Sequence, residues 1–341
     1  MSKKRISRAS AEKLFMQGSF LLLFVIAGFR GLEVGNDTPM YVSYFSRLDG
    51  LGSLSVSENR FEFAFRLYNC LIAQFFSDPH ILLIISSLVY FGLLYKVFRK
   101  ISVTPVYSVL MYVGLTMYYS SLTMLRQCIA IGLCAIAYLY LMEKKRVRFV
   151  LLVVLAGMFH TTAYLVLVML LFSLIPYKKN TRFLYFAIGL ICAAFFNVLV
   201  QVVVILVPKY AGYLSGENYY IAGKLGSVIK AGIYGSLYLI YNYLYRRYGE
   251  DTEKNKILYF TSLMGALVTL ASVQGAILSR IASYFNIMFC VAIPNALSWL
   301  PDRKKKYIWG SMILGVLFLY NMIILFLRPE WTGILPYVFW S

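Results

Sequence analysis

The chain has 341 residues, 60% hydrophobic and only 14% charged, with a mean hydropathy of +0.72, too little polar surface for water to be its main solvent. Its net charge of +19 is large. The Lys and Arg residues nevertheless fall in short clusters between apolar stretches, with no basic domain or RNA-binding motif, which argues against nucleic acid as a partner.

Apolar stretches recur along the whole length, each close to the roughly 20 residues a helix needs to cross about 30 Å of hydrocarbon. Helices are the expectation because lipid offers backbone groups no partners. Lys3, Lys4 and Arg5 before the apolar run 14–29 resemble the start of a signal peptide, but no persuasive small-residue cleavage site follows, so the run reads as an uncleaved first span. Further spans are predicted over 80–98, 104–121, 122–142, 148–160, 162–176, 183–207, 227–245, 257–274, 281–300 and 307–327. The fold class is therefore all-α, a polytopic membrane protein with about eleven helices. Residues 1–341 form one membrane domain, without long repeats or separable soluble parts.

Of the 33 Lys and Arg residues, 23 lie in alternate connections: 3–13, 96–100, 144–148, 178–182, 246–256 and 303–306. The positive-inside rule places these in the cytoplasm, so the tail 1–13 is inside and the C-terminus outside. Residues 31–79 become the main external loop and 209–227 a second one. Two segments strain this scheme. Residues 61–76 are apolar enough for a span but would invert the charge rule. They read instead as an interfacial helix with Phe61, Phe65, Tyr68, Ile72 and Phe75 on one face and Glu62, Arg66 and Asn69 on the other. Residues 149–175 are too long for one span and short for two, and read as a hairpin with its tip at His160-Thr161-Thr162. The 29 Tyr and 25 Phe suit interfacial belts, and would also suit stacking on sugar rings. Five cysteines lie in or beside apolar stretches without CxxC spacing, so neither disulfides nor a metal site is expected.

Three external arginines sit near span ends: Arg30, Arg126 and Arg280. Converging guanidinium forks make a receptor for a phosphate or diphosphate headgroup. Snorkelling to the interface explains each equally well. In Gly35-Asn36-Asp37-Thr38-Pro39-Met40-Tyr41 a turn leads into a helix with Asp37 or Thr38 as N-cap, and capping accounts for Asp37 without any catalytic part. Glu62 has Arg66 four residues on, as in an ordinary surface ion pair. His160, one of two histidines, is either a structural residue of the hairpin tip or a general base. His80 after Asp78-Pro79 reads as a cap or anchor. The chain has no phosphate loop, GxSxG, HExxH or Asp-rich nucleotide-sugar motif, so no cofactor, nucleotide donor or metal is expected.

Five segments together resemble the EpsG family of bacterial exopolysaccharide membrane proteins, related to Wzy-type polysaccharide polymerases. They are Phe29-Arg30 with 34–38 and Tyr41, then Phe61-Glu62-Phe63-Ala64-Phe65, Leu125-Arg126-Gln127-Cys128-Ile129-Ala130, Phe159-His160-Thr161-Thr162-Ala163 and 278–285. The chain departs from that pattern in its basic N-terminal extension and in Thr123-Met124. The resemblance implies a fold similar to membrane glycosyltransferases that use lipid-phosphate donors (GT-C-like). It implies joining of undecaprenyl diphosphate-linked oligosaccharide units at the outer face of the bacterial cytoplasmic membrane, for capsule, O-antigen or exopolysaccharide. Implied partners are that lipid-linked saccharide, membrane lipid, and export proteins such as a flippase and a chain-length regulator. By the same resemblance Arg126, Arg280 and Arg30 are expected to bind diphosphate, and His160, Glu62 and Asp37 to serve in acid/base chemistry. Gln127, Tyr41, Arg66 and Tyr284 are expected to contact substrate. Two rivals remain at this stage: a flippase for the same lipid, which calls for charge along a path through both leaflets, and an acyltransferase acting on the polymer.

The charge partition makes a direct prediction. Single-cysteine labelling in intact cells should find positions 145 and 305 cytoplasmic, and 219 and 340 external. An internal position 219 would overturn the span assignment.

Overall fold

The computed structural model describes residues 7–55, 61–174, 224–273 and 277–340. The predicted span 183–207, the basic cluster 178–182, most of the loop 209–227 and the labelling position Tyr219 lie outside the described residues. Among the described residues the regular elements are all helical, with one isolated antiparallel bridge between Arg30 and Phe339. In chain order they are α1 (Arg8–Gly28), α2 (Thr38–Phe45), α3 (Phe63–Ala73), α4 (Pro79–Ile101), α5 (Pro105–Gly114), α6 (Met117–Ser121), α7 (Leu125–Met142) and α8 (Arg146–Phe159). A 3₁₀ turn (Thr161–Leu167) leads to α9 (Val168–Leu174), followed by α10 (Lys224–Tyr248), α11 (Glu253–Ala271), α12 (Ile277–Asn286), α13 (Phe289–Ser298) and α14 (Arg303–Met322).

Among the described residues four stretches are long and apolar enough to cross a membrane: Ser10–Gly28, Pro79–Ile101, Leu125–Met142 and Arg303–Leu327. α12 and α13 add a fifth if counted as one broken span. Burial separates their places. The apolar window of α7 is 78% buried, against 28% for α1 and for Arg303–Leu327, so α7 is the axis and the other two face lipid. Leu14, Leu21 and Leu22 on α1 and Met312, Val316 and Leu319 on α14 are accordingly exposed. Lipid tails are as apolar as leucine, so close fit rather than hydrophobic expulsion selects the interior. Gly132 shows the fit: a Cβ there would lie 2.9 Å from Leu93 Cδ1 of α4.

Two predicted spans are broken helices. The stretch 104–121 divides at Thr116, whose φ of 59° lies in the left-handed region. The break frees the carbonyl of Gly114, and Asn321 Nδ2 of α14 donates to it at 2.6 Å while also reaching Leu317 O at 2.8 Å. An amide side chain inside an apolar helix thus repairs the ladder that the break opens. The stretch 281–300 starts earlier, at Ile277, and bends by 41° between α12 and α13. Hydropathy sees only the apolar total, so neither break was legible in it.

Within the stretch 31–79, predicted as an external loop, the described residues form two α-helices, α2 and α3. α2 and α3 pack through Tyr41, Tyr44, Phe61 and Phe65, whose rings meet edge-on or tilted at 4.8 to 5.9 Å. Two residues of the predicted interfacial face are misplaced. Phe75 lies past the end of α3 and is 77% exposed, whereas Asn69, expected on the polar face, is fully buried with Nδ2 donating to Phe65 O at 2.7 Å. Helical spacing predicts the angle of a side chain but not which neighbour covers it.

Residues 328–340, which hydropathy leaves unassigned, return as a strap across the turn 29–38. Gly31 N–H donates to Val338 O, Gly35 N–H to Gly333 O and Trp340 N–H to Phe29 O, each at 2.8 Å. Trp340 stacks on His80 with ring centroids 4.5 Å apart. Gly35 has φ +96°, and a Cβ there would strike the carbonyl of Leu122. Gly35→Ala should therefore lose about 1–3 kcal/mol of stability, read as a lower thermal midpoint of the purified protein. An unchanged midpoint would show that this turn is not tightly held.

Candidate active site

Polar residues of five separate segments meet at the end of the bundle where α3, α7 and α12 approach the break after α8. The break begins with His160, whose φ of −153° and ψ of 111° take the backbone out of the helix. Leaving the helix releases the amide of Thr161 from the ladder, and a helix end in apolar surroundings must find it another acceptor. Glu62, the N-cap residue of α3, supplies it. Its Oε1 accepts from the Thr161 amide and from Thr161 Oγ1, both at 3.1 Å, and its Oε2 binds Arg126 Nη1. Burial disfavours the carboxylate, but Arg126 and the Thr161 amide outweigh it and hold Glu62 below the ordinary carboxylate range. The pair joins residues 64 apart in sequence, a partnership that no local spacing announces.

Arg126 lies over the ring of Phe61, its Cζ 5.2 Å from the centroid, and beside the Tyr41 hydroxyl. Its Nε is buried without a hydrogen-bond partner among the described residues. Burial pushes Tyr41 up to about 12. Arg280 is on α12, one turn in from its start. Its carbonyl accepts from Gln127 Nε2 at 2.7 Å, and its guanidinium is 3.8 Å from Asp37. The Arg280 side chain is 46% exposed and that of Arg126 21%.

Asp37 precedes α2 as the turn chemistry predicts, with Pro39 in the first turn, but its side chain makes no capping hydrogen bond. The capping explanation therefore falls, and the carboxylate faces Arg280 instead. His160 is buried, with Nδ1 2.7 Å from Thr162 Oγ1 and 3.0 Å from the Tyr284 hydroxyl. Tyr284, expected to touch substrate, is fully buried and directs its hydroxyl to His160. Gln127 and Tyr41 are also buried, and Arg66 is half-buried one turn along α3 from Glu62.

Arg30 stands apart from this group. It is fully buried, with its guanidinium spent on Ala27 O, on Val34 O at 3.3 Å and on Thr38 Oγ1 at 3.5 Å. It ties the end of α1 to the start of α2. His80 accepts a cap rather than making one: Asp78 Oδ1 receives the His80 amide at 2.9 Å. Thr161 and Thr162, seen in the sequence only as a hairpin tip, make hydrogen bonds to Glu62 and His160. Two hydroxyls directly after a histidine in an otherwise apolar run were the available signal.

The arrangement presents two arginines, each facing a carboxylate, a histidine on a hydroxyl pair, and tyrosines, in apolar surroundings. Such a set can neutralise a polyanion and move a proton. The EpsG family matches residues 13–339. No curated protein and no solved structure matches the chain significantly. A match over nearly the whole length places this multi-pass helical membrane protein in the EpsG family, the exopolysaccharide-associated membrane proteins.

Proposed function

We propose that the chain is a polysaccharide polymerase that joins undecaprenyl diphosphate-linked oligosaccharide units at the outer face of the bacterial cytoplasmic membrane. The observation that supports it most is the meeting of Arg126, Arg280, His160, Glu62 and Asp37 at one end of the bundle, from segments far apart in sequence. Family membership favours a Wzy-like polymerising role. In this reading the protein is a single membrane domain of about eleven spans with a GT-C-like architecture. Its N-terminus is cytoplasmic and its C-terminus external. A flippase and a chain-length regulator are its working partners.

The acceptor hydroxyl attacks the anomeric carbon of the lipid-linked chain, a new C–O bond forms, and the bond to the diphosphate breaks with its electron pair leaving on oxygen. Arg126 and Arg280 take up that charge through the guanidinium N–H groups that their carboxylates leave free. The hydroxyl proton passes to His160. Glu62 holds Arg126 and the break after α8 in register, and Asp37 does the same for Arg280, so both carboxylates orient the arginines rather than carry protons. Among the described residues both of these arginine–carboxylate pairs lie with His160, which favours this reading over a transporter, which needs polar groups along a path.

Purified protein given a defined undecaprenyl diphosphate oligosaccharide should yield a ladder of lengthened products, and no ladder would overturn the proposal. Lys keeps the charge but loses the planar fork. Arg126→Lys and Arg280→Lys should each slow elongation by about one to two orders of magnitude, the worth of one charge-assisted contact of about 1.5–3 kcal/mol. Near-parental rates for both would return the arginines to simple anchors, since Lys snorkels as well as Arg.

Glu62→Gln keeps size and one acceptor but removes the charge that orients Arg126. Product length at normal protein level should drop clearly. Parental length in that variant would remove Glu62 from the site.

A further inference from the structure

His160 meets two hydroxyls at one ring nitrogen. Nδ1 is 2.7 Å from Thr162 Oγ1 and 3.0 Å from the Tyr284 hydroxyl, and Thr162 Oγ1 donates to the Tyr284 hydroxyl at 3.3 Å. Tyr284 is fully buried, and its backbone carbonyl accepts from the Tyr138 hydroxyl at 3.2 Å, which fixes its turn of α12 against α7.

A hydroxyl has one proton and two lone pairs. Thr162 gives its proton to Tyr284, so it turns a lone pair toward Nδ1. If Nδ1 were bare, two lone pairs would face each other at 2.7 Å. A proton on Nδ1 turns that contact into a short hydrogen bond, with the Tyr284 oxygen as a second acceptor. The shorter of the two distances is the one to Thr162, as this arrangement requires.

We propose that Thr162 and Tyr284 hold neutral His160 in its Nδ1–H tautomer and so leave Nε2 as the nitrogen that accepts a proton. Among the described residues Nε2 makes no hydrogen bond. Both hydroxyls are positioning residues, since neither needs to touch the saccharide. Their value for the reaction rests on the reading of His160 as the base, but the tautomer itself does not. Which nitrogen carries the proton sets whether a histidine donates or accepts at its other face. Choosing it with neutral hydroxyls has a further consequence. A carboxylate partner would stabilise the protonated ring, whereas Thr and Tyr select the tautomer without adding charge beside Arg126 and Arg280.

The test is ¹⁵N spectroscopy of the full-length protein in membranes, labelled at histidine. The chain has two histidines, so His80→Gln leaves a single ring to read. At a pH where the ring is neutral, its ¹⁵N shifts should report a proton on Nδ1. Thr162→Val removes the hydroxyl at nearly constant volume and frees the Tyr284 proton to reach Nδ1, so the ring should move to the Nε2–H form. Thr162→Ser should keep the parental spectrum, whereas Tyr284→Phe takes away the acceptor of the Thr162 proton, frees that proton to reach Nδ1 and should move the ring toward the Nε2–H form. An Nε2–H ring in the parent, or an unmoved Nδ1–H ring in Thr162→Val, would overturn the proposal. The parent and Thr162→Ser spectra decide it even if the valine variant fails to fold.

Elongation separates this from the function proposed above. Thr162→Val should slow it by about 10-fold or more, with Thr162→Ser near parental, if His160 is the base. The expected spectra together with parental elongation by His160→Gln would keep the tautomer and remove the base.

Discussion

Glu62 is bound from two elements at once, by Arg126 of α7 and by the amide and hydroxyl of Thr161 at the break after α8. A carboxylate in partly apolar surroundings is tolerated only when its lone pairs are taken up, and here the partners come from α7 and from the break after α8, which Glu62 thereby ties together. Remove it and Arg126 becomes an uncompensated charge while the Thr161 amide loses its acceptor. The aromatic packing of α2 and the start of α3 serves the same end. Phe61 lies under Arg126 and on Tyr41 and Tyr44, so these elements are pressed onto α7 next to the ion pair.

Helix breaks are the means by which this bundle makes polar chemistry inside an apolar body. An unbroken helix consumes its own backbone groups and offers its surroundings nothing but side chains. The break at His160 gives Glu62 an amide, and the break at Thr116 gives Asn321 a carbonyl. The first sits among the candidate residues, whereas the second is satisfied by a single side chain and stays structural. Breaks alone therefore do not mark function; the company they keep does.

Much of this was legible beforehand. Apolar runs, charge clusters and the hairpin break at His160 follow from the solvent and from residue type, and α1, α4, α7 and α14 appear where hydropathy puts them. Arg126, Arg280, His160 and Glu62 stood out as polar residues in apolar stretches. Their connections did not, because Glu62–Arg126 and Arg280–Asp37 span distances in sequence over which no periodicity operates. Local rules also misled where a tertiary partner took over. Asp37 occupies a capping position without capping, and Asn69 lies on a polar helical face that another element covers. Arg30 shows the reverse error: a cation at a span end, suited by position to bind phosphate, is consumed by carbonyls of its own turn.

The strap formed by 328–340 also bears on how the protein is made. It secures the turn that carries Asp37, yet Gly35 and Gly333 are separated by nearly the whole length that the family match covers. Contacts of such high sequence separation close last, since the intervening chain must first be ordered. The helices can enter the membrane one after another as the ribosome delivers them, but the turn facing Arg280 cannot take its final form until α14 has crossed and the residues beyond it have been released. The turn that carries Asp37 is thus closed only after the residues of the strap have emerged, and chains that stop short of Gly333 lack the contact that holds it.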